Sequence, residues 1–320
     1  MSRFAFSNSL ELNRRSVARL LLGMTALSTG LIGPAYAEEP DRDDIIGEPH
    51  LHVIQREETL IRLARDNDLG ILELMAVNPG IDPWLPEEGT AILLPTAHIL
   101  PDAPREGIVI NLAELRLYYF PADGGPVYTN AIGVGREGFL TPVGSTKIVR
   151  KQANPTWYPT ESTRNDKPWL PTAVPAGPDN PLGKFALYLG WPTYLIHGTN
   201  KPPGVGRRVS RGCIRMYPEA VEHLFSITPV GTRVTTVSQT VKLGWRSGDL
   251  YIEVHPDFEQ IDQLEMEEKF DLRPVEGADQ QIVDAAGLEA YRLDWHVIRA
   301  ALRERRGVPV KVMRERPATL

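Results

Sequence analysis

The alternation of hydrophobic and polar residues along the chain predicts several separate structural units. Residues 48–97 contain two strand patterns that flank two short helical patterns, at residues 51–54, 59–64, 71–75 and 91–94. Apolar residues at helical spacing between two apolar runs are typical of a small βααβ unit. Residues 98–106 are rich in proline and are predicted to be a linker.

The region from residue 107 to 238 has the pattern of a mainly β domain. Strand patterns occur at residues 108–112, 115–120, 127–134 and 191–196, and one helix is predicted to begin at Pro218. Many short strands with few helices indicate a β-sandwich or a barrel. Residues 239–320 form an extension with one strand pattern, at 250–254, and two helical patterns, at 258–270 and 279–305.

A long irregular loop is predicted before the strand at 191–196. Seven of the 28 prolines of the chain lie between Pro155 and Pro181, and proline at this density excludes a regular helix. Trp157 and Trp169 lie in this loop. They either form an apolar wall for a substrate or pin the loop to the core.

Composition and charge narrow the class of protein. The chain is 42% hydrophobic and 24% charged, which is sufficient for a globular core. Residues 1–37 combine Arg14, Arg15 and Arg19 with an apolar stretch too short to span a bilayer, and they end in Ala35-Tyr36-Ala37. We therefore predict a signal peptide that is cleaved after Ala37, with the general and twin-arginine export routes both open.

Removal of this segment takes the formal net charge from −6 to −9. A chain this acidic has no basic footprint for nucleic acid. The mature form is also predicted not to span a membrane.

Cys213 is the only cysteine, so it cannot form a disulfide within the chain. It lies in a polar, glycine-containing segment, which is unusual for a structural cysteine and typical of a nucleophile. If residues 211–216 run extended, Arg211, Cys213 and Arg215 share one face. His197 closes the strand pattern at 191–196 and is the candidate base, while backbone N–H groups of residues 211–213 are candidate donors to an oxyanion.

The motif around Cys213 resembles that of a known enzyme family. His197-Gly198 followed by Ser210-Arg211-Gly212-Cys213-Ile214-Arg215 is similar to the signature of the L,D-transpeptidase (YkuD-type) catalytic domain. The segments at 151–159 and 174–183 resemble the Gram-negative enzymes that join the Braun lipoprotein to peptidoglycan. Many family members have His at position 211 and Asn at position 215, where this chain has arginine.

The resemblance implies a fold, a reaction and a set of site residues. The fold is a β-sandwich of mixed sheets spanning residues 107–238. Cys213 is implied to be the nucleophile and His197 the base, with the Gly198 carbonyl orienting the imidazole and the N–H groups of Gly212 and Arg211 binding the oxyanion. The predicted substrate-binding residues are Arg215, Ser210, Asn200 and Trp157.

Arg215 either holds a substrate carboxylate or forms a structural salt bridge. No cofactor and no metal are expected, because His255 and His296 have no ligand-spaced partners in the sequence.

The resemblance also implies partners and a compartment. Residues 48–97 resemble a LysM module, which binds the N-acetylglucosamine-containing glycan of peptidoglycan, although Glu57-Glu58 replace the usual Gly-Asp. The predicted donor is the tetrapeptide stem of peptidoglycan in the periplasm. The acceptor is a lysine amine of a lipoprotein, with a second stem, which would give a 3–3 cross-link, or water as alternatives. A non-catalytic wall-binding protein is the remaining alternative.

Overall fold

The computed structural model of the protein describes residues 43–316. The predicted signal peptide lies outside these residues. Within them, every helix is too short or too polar to cross a lipid bilayer.

The N-terminal region has the predicted βααβ order. Its elements are β1 (Ile45–Ile46), β2 (His50–Val53), α1 (Leu60–Asp66), α2 (Ile71–Val77), β3 (Ala91–Leu94) and β4 (His98–Ile99). Strands β2 and β3 pair antiparallel, and the Thr59 side chain caps α1 by accepting a hydrogen bond from the Arg62 N–H. Strand β4 pairs with β1, and its residues are buried. The segment predicted to be a linker therefore begins with buried residues, 98–101, whereas residues 102–106 are mostly exposed.

The centre of the molecule is a mixed sheet of eight strands in the order β13-β11-β10-β9-β14-β5-β6-β7. The elements of this region are β5 (Gly107–Asn111), β6 (Arg116–Phe120), β7 (Tyr128–Ala131), β8 (Val134–Gly135), β9 (Gly144–Ala153), α3 (Glu161–Asp166), β10 (Phe185–Leu189), β11 (Leu195–His197), a 3₁₀ helix (Pro202–Gly204), β12 (Arg208–Ser210), β13 (Ile214–Arg215), α4 (Pro218–Ile227) and β14 (Arg233–Val237). The predicted mainly β fold with mixed sheets is confirmed.

The sheet curls until its two edges meet. Gly133, two residues after β7, exchanges both backbone hydrogen bonds with Arg215 in β13, each 2.8 Å long. Strands β8 and β12 form a parallel pair beside this contact. Neither edge of the large sheet is left open at this point, which limits pairing with other chains.

One local prediction in this region is wrong, and one strand, β9, was not predicted. The strand pattern at 191–196 begins with a turn at residues 190–194, where Thr193 has a φ of 72°, and the strand itself starts at Leu195. Strand β9 carries no clear apolar alternation, because most of its residues are at least partly exposed. Its place in the sheet comes from antiparallel pairing with β10 and β14 on either side.

The C-terminal extension is a partly helical layer with its own buried cluster. It contains β15 (Val241–Arg246), β16 (Asp249–Val254), α5 (Phe258–Glu267), α6 (Ala278–Ala286), a 3₁₀ helix (Gly287–Arg292), α7 (Trp295–Glu304) and β17 (Val310–Lys311). The helical pattern at 279–305 is not one helix. It breaks at Gly287, whose φ of 52° ends α6.

The N-terminal region and the central sheet share one hydrophobic core. Leu60 and Leu74 from the first region belong to the same buried cluster as Ile108, Ile132 and Ile196 from the second. The burial of these apolar side chains is the main contribution that stabilises the contact between the two regions. Residues 48–97 are thus packed against the central sheet.

Candidate active site

His197 ends strand β11, and Cys213 immediately precedes β13, the parallel strand beside it. Strands β11 and β13 pair with Ile196 opposite Ile214 and His197 opposite Arg215. Because side chains alternate along a strand, Ile196 and Ile214 point into the core, where both are fully buried, and His197 and Arg215 point to the opposite face. From strand spacing, the Cα atoms of His197 and Cys213 are about 8 Å apart.

The imidazole of His197 is held by the backbone that follows it. Its Nδ1 lies 2.5 Å from the carbonyl oxygen of Gly198, and its side chain is buried. A carbonyl only accepts hydrogen bonds, so Nδ1 carries the proton and Nε2 is left as the proton acceptor. Burial and the positive charge of Arg215 lower the pKa of His197 to about 4, and the hydrogen bond to Gly198 opposes them. The imidazole is therefore neutral at pH 7.

Cys213 is a half-buried free thiol. Its Sγ–H donates to the carbonyl of Thr193 at 3.4 Å. Burial raises the pKa of the Cys213 thiol, whereas a backbone hydrogen bond from Leu195 and the charge of Arg215 lower it by less. The site at rest therefore holds a neutral thiol, bonded to the Thr193 carbonyl, and a neutral imidazole on the neighbouring strand.

The turn before the thiol depends on glycine. Gly212 has a φ of 102°, and a Cβ at this position would lie 2.7 Å from Cε1 of Tyr194. The chain is therefore not extended at residues 211–212, and the predicted alternation of Arg211 with Cys213 and Arg215 is wrong. The Gly212 N–H donates to Ser210 Oγ at 3.0 Å, so its predicted role as an oxyanion donor does not fit the structure.

The side chain of Ser210 forms hydrogen bonds within this turn. Its side chain is buried, and its Oγ–H donates to the carbonyl of Cys213 at 2.6 Å. The Ser210 hydroxyl is thus engaged within the turn, and its contact with substrate stays a prediction. Thr141, which the sequence reasoning missed, donates from Oγ1 to the Gly212 carbonyl at 2.8 Å. Its only sequence signal is its place in the glycine-rich segment at 135–144.

Arg211 points away from the thiol. Its guanidinium forms an ion pair with Asp166, donates to Ser162 Oγ at 3.0 Å and lies 4.2 Å from the ring centroid of Phe139. Asp166 and Ser162 belong to α3 in the proline-rich loop. The side chain of Arg211 therefore joins that loop to the loop that carries Cys213.

Arg215 contributes a positive charge to the site that no carboxylate of the described residues neutralises. Among residues 43–316 it forms no ion pair, and its Nε is buried without a hydrogen-bond partner. The alternative of a structural salt bridge is therefore wrong within the described residues. An unpaired, half-buried guanidinium is a strong site for a carboxylate.

The remaining predicted substrate residues, Asn200 and Trp157, both contact the proline-rich loop. Asn200 is exposed and donates from Nδ2 to the carbonyl of Asp179 at 3.1 Å. Trp157 pairs through its backbone with Val174, at 2.9 and 2.8 Å, within the proline-rich loop. Asn180, which the sequence reasoning missed, is fully buried and holds this loop together by donating to three carbonyls, those of Pro155, Val174 and Pro175.

A second cluster of ionisable groups lies away from the cleft. Ligand-type atoms of Glu114, Glu253 and His255 lie within 4.8 Å of one another, so the expectation that His255 lacks partners is wrong. The sequence hid these partners because Glu114 comes from the turn between β5 and β6, far along the chain from Glu253 in β16. The ammonium of Lys242 contacts Glu114 and lies 2.9 Å from Glu253 Oε1, so a side chain supplies the cation that these carboxylates require.

A half-buried free thiol together with a neutral imidazole on the neighbouring strand, oriented by a backbone carbonyl, is typical of cysteine enzymes that transfer or hydrolyse acyl groups. Comparisons with known proteins narrow this class. Residues 105–236 match the family described as YkuD, L,D-transpeptidase catalytic domain.

Three curated relatives are similar over most of their length. The chain is 39% identical over 314 residues to "Probable L,D-transpeptidase YcfS" of Escherichia coli (strain K12), with 92% of this chain and 95% of that protein covered. It is 38% identical over 287 residues to YbiS of the same strain, with 87% and 91% covered. It is 37% identical over 292 residues to ErfK/SrfK of Salmonella typhimurium, with 88% and 92% covered. The chain belongs to the L,D-transpeptidase family and is an L,D-transpeptidase.

Proposed function

We propose that this enzyme acts on peptidoglycan in the periplasm, through an acyl-enzyme on Cys213. The donor is a tetrapeptide stem, cleaved between meso-diaminopimelate and the terminal D-Ala. The acceptor is the amine of a lysine in an outer-membrane lipoprotein. The observation that supports this chemistry best is a neutral imidazole, oriented by the Gly198 carbonyl, on the strand next to the segment that carries the lone thiol.

The first half of the reaction forms a thioester. The sulfur of Cys213 attacks the carbonyl carbon of the stem as its proton passes to Nε2 of His197. The imidazolium that results is a strong acid, because Arg215 and burial hold the pKa of His197 at about 4. It gives the proton to the departing nitrogen, so that D-Ala leaves with a neutral amine and the C–N bond breaks.

The second half regenerates the thiol. The acceptor amine attacks the thioester carbon and gives up a proton to Nε2 of His197. The C–S bond then breaks, and the sulfur recovers that proton. The hydrogen bond from Nδ1 to the Gly198 carbonyl keeps the imidazole in the same tautomer during both halves.

The proposed substrate contacts use groups that have no partner among the described residues. We propose that Arg215 binds a carboxylate of the stem, since no carboxylate among the described residues pairs with it. Because the Gly212 N–H is used within the turn, the N–H groups of Arg211 and Cys213 are the proposed oxyanion donors. Asn200 and Trp157 form the wall of the cleft on the side of the proline-rich loop.

The proposal extends to the rest of the chain. Residues 1–37 direct export and are removed after Ala37, which the intact mass of the protein recovered from the periplasm tests. Residues 48–97 act as a LysM-like module that binds glycan. The extension at 239–320 is proposed to support the central sheet, since it pairs its own strands and carries Lys242 into the core.

The decisive experiment uses the mature protein with a tetrapeptide muropeptide and a peptide that ends in the lipoprotein C-terminal lysine. Mass spectrometry is expected to show D-Ala release and a product that joins the stem to the lysine. Cys213→Ala is expected to abolish both, while Met266→Ala, an 85% exposed surface position, serves as the matched control. Undiminished D-Ala release by Cys213→Ala would contradict the proposal. A 3–3 cross-link or a hydrolysed stem as the only product would reassign the acceptor.

A further inference from the structure

An open groove lies beside the active site, between helix α1 and the 3₁₀ helix Pro202–Gly204. It holds about 530 Å³ of space open to water-sized molecules, which is within the range of roughly 300–1,000 Å³ typical of ligand sites. Its walls are largely apolar, with Ile61 and Ile71 on one side and Pro202, Pro203 and Val205 on the other. The groove therefore belongs to both the N-terminal region and the catalytic loop.

The two walls are held rigidly in place. Gly206 packs so closely on Gly70 that a Cβ on Gly206 would lie 2.4 Å from the Gly70 Cα. Tyr217, at the floor of the groove, donates from its hydroxyl to the carbonyl of Leu69 at 3.0 Å. A groove built this way keeps its shape when empty, so a ligand loses little free energy in ordering it.

The groove and the catalytic cleft are separated by one turn of chain. Pro202 and Pro203 line the groove. Gly204, in the same turn, lies against Arg215 of the catalytic cleft, since a Cβ on Gly204 would lie 3.5 Å from Nη1 of Arg215. Three residues of a stem precede the bond that is cleaved. An extended peptide of three residues spans about 10 Å, which is comparable to the width of a helical turn.

The electrostatics of the groove suit a neutral, polar ligand. Arg62 pairs with Asp66 at 3.4 Å, and Arg65 makes two hydrogen bonds to Glu219, at 2.8 and 2.9 Å. The rim therefore offers both donors and acceptors with its charges already balanced. A pyranose ring, with hydroxyl groups on its edge and C–H groups on its faces, matches such a rim above an apolar floor.

We propose that this groove is the subsite for the sugar that carries the stem peptide, an amino-sugar unit of the glycan. The inference rests on the proposed function. It specifies that the stem enters the cleft from the groove while its sugar is held between α1 and Pro202–Gly204. The enzyme would then recognise the glycan and the peptide as one ligand.

The test compares two donors in the D-Ala release assay: the free tetrapeptide, and the same tetrapeptide attached to its disaccharide. We expect kcat/KM to be about tenfold higher for the disaccharide form in the native enzyme, equivalent to about 1.4 kcal/mol. Arg62→Trp, at a side chain that is 74% exposed, places an indole in the groove and is expected to bring the ratio of the two values close to one.

Trp84→Ala is the matched control, because Trp84 is 64% exposed on the same region but outside the groove. It is expected to keep the tenfold preference. The inference is overturned if the native enzyme uses both donors equally, or if Trp84→Ala removes the preference and Arg62→Trp does not. A different result, D-Ala release from both donors that persists in Cys213→Ala, would count against the proposed function instead.

Discussion

Two buried histidines of this protein have opposite protonation behaviour. His197 lies between a backbone carbonyl and the guanidinium of Arg215, and its pKa is lowered to about 4. His255 lies 2.7 Å from a carboxylate oxygen of Glu253 and 3.4 Å from one of Glu114, which raise its pKa to about 9 against the effect of burial. Both side chains are nearly inaccessible to solvent, so burial alone does not explain the difference.

The comparison shows that neighbouring charged groups decide whether a buried histidine is neutral or protonated. In the cluster around Lys242, two cations and two carboxylates are paired within the core, which is an arrangement for holding elements together. At the cleft, Arg215 and His197 lack a carboxylate partner among the described residues, so charge and proton-accepting capacity remain for a substrate. Four predictions follow from this contrast, in order of decreasing effect.

Replacing the base of the cleft has the largest expected effect on activity. His197→Gln is expected to lower kcat/KM for D-Ala release by about 10²–10⁴-fold, because it removes general base and acid catalysis. The free energy of unfolding is expected to change little at pH 7, where the histidine is neutral. His223→Gln, at an exposed position on α4, is the control and should keep full activity. Equal losses in the two variants would contradict the assignment of His197.

Replacing the central cation of the other cluster has the largest expected effect on stability. Lys242→Met leaves Glu114 and Glu253 buried with a single cation, His255, and is expected to destabilise the fold by about 3–5 kcal/mol. Urea denaturation followed by circular dichroism measures this loss. Arg233→Met breaks the exposed pair with Glu106 and is expected to cost less than about 1 kcal/mol. Similar losses in both variants would show that the cluster is not stabilising.

The two histidines predict opposite slopes of stability against pH. Between about pH 4 and 6.5 an unfolded histidine binds a proton that folded His197 does not, so this residue makes stability rise with pH. Folded His255 keeps its proton up to about pH 9, so its contribution is complete below about pH 6.5 and is lost as pH rises through 9. Denaturation of His197→Gln should lose the first slope, and that of His255→Gln the second. Unchanged slopes in these variants would rule out the assignment.

The free charge of Arg215 predicts a smaller effect, on substrate binding. Arg215→Lys keeps the charge but loses the bidentate geometry, and it is expected to raise KM for the stem by about tenfold, or about 1.4 kcal/mol. Arg215→Met removes the charge and is expected to raise KM further and to raise the pKa of His197 as well. That second change should move the acid limb of the pH–rate profile upward from about pH 4. If the acid limb stays at the same pH in Arg215→Met, Arg215 does not lower the pKa of His197.

The thiol and its motif could be read from the sequence because they are local. Cys213 and His197 are close along the chain, and the strand that ends at His197 is short and apolar. The helix from Pro218 and the βααβ order were also predictable, since they depend on spacing within a few residues. The conformation of Gly212 could not be predicted from the sequence. A Cβ at this position would meet the ring of Tyr194 and the carbonyl of Leu140, which are distant in sequence, and the side chain of the preceding Arg211 pairs with Asp166.

The sequence by itself determined the class of enzyme, the proposed nucleophile and base, and the order of the main elements, because periodicity and motif spacing are properties of neighbouring residues. Only the tertiary structure decided which charges are free and which are paired. Glu114, Lys242 and Glu253 are separated by more than a hundred positions at the widest, yet they meet because β6, β15 and β16 bring that part of the chain together. A pKa or a binding role depends on those distances, which pairing of strands creates and no local pattern encodes.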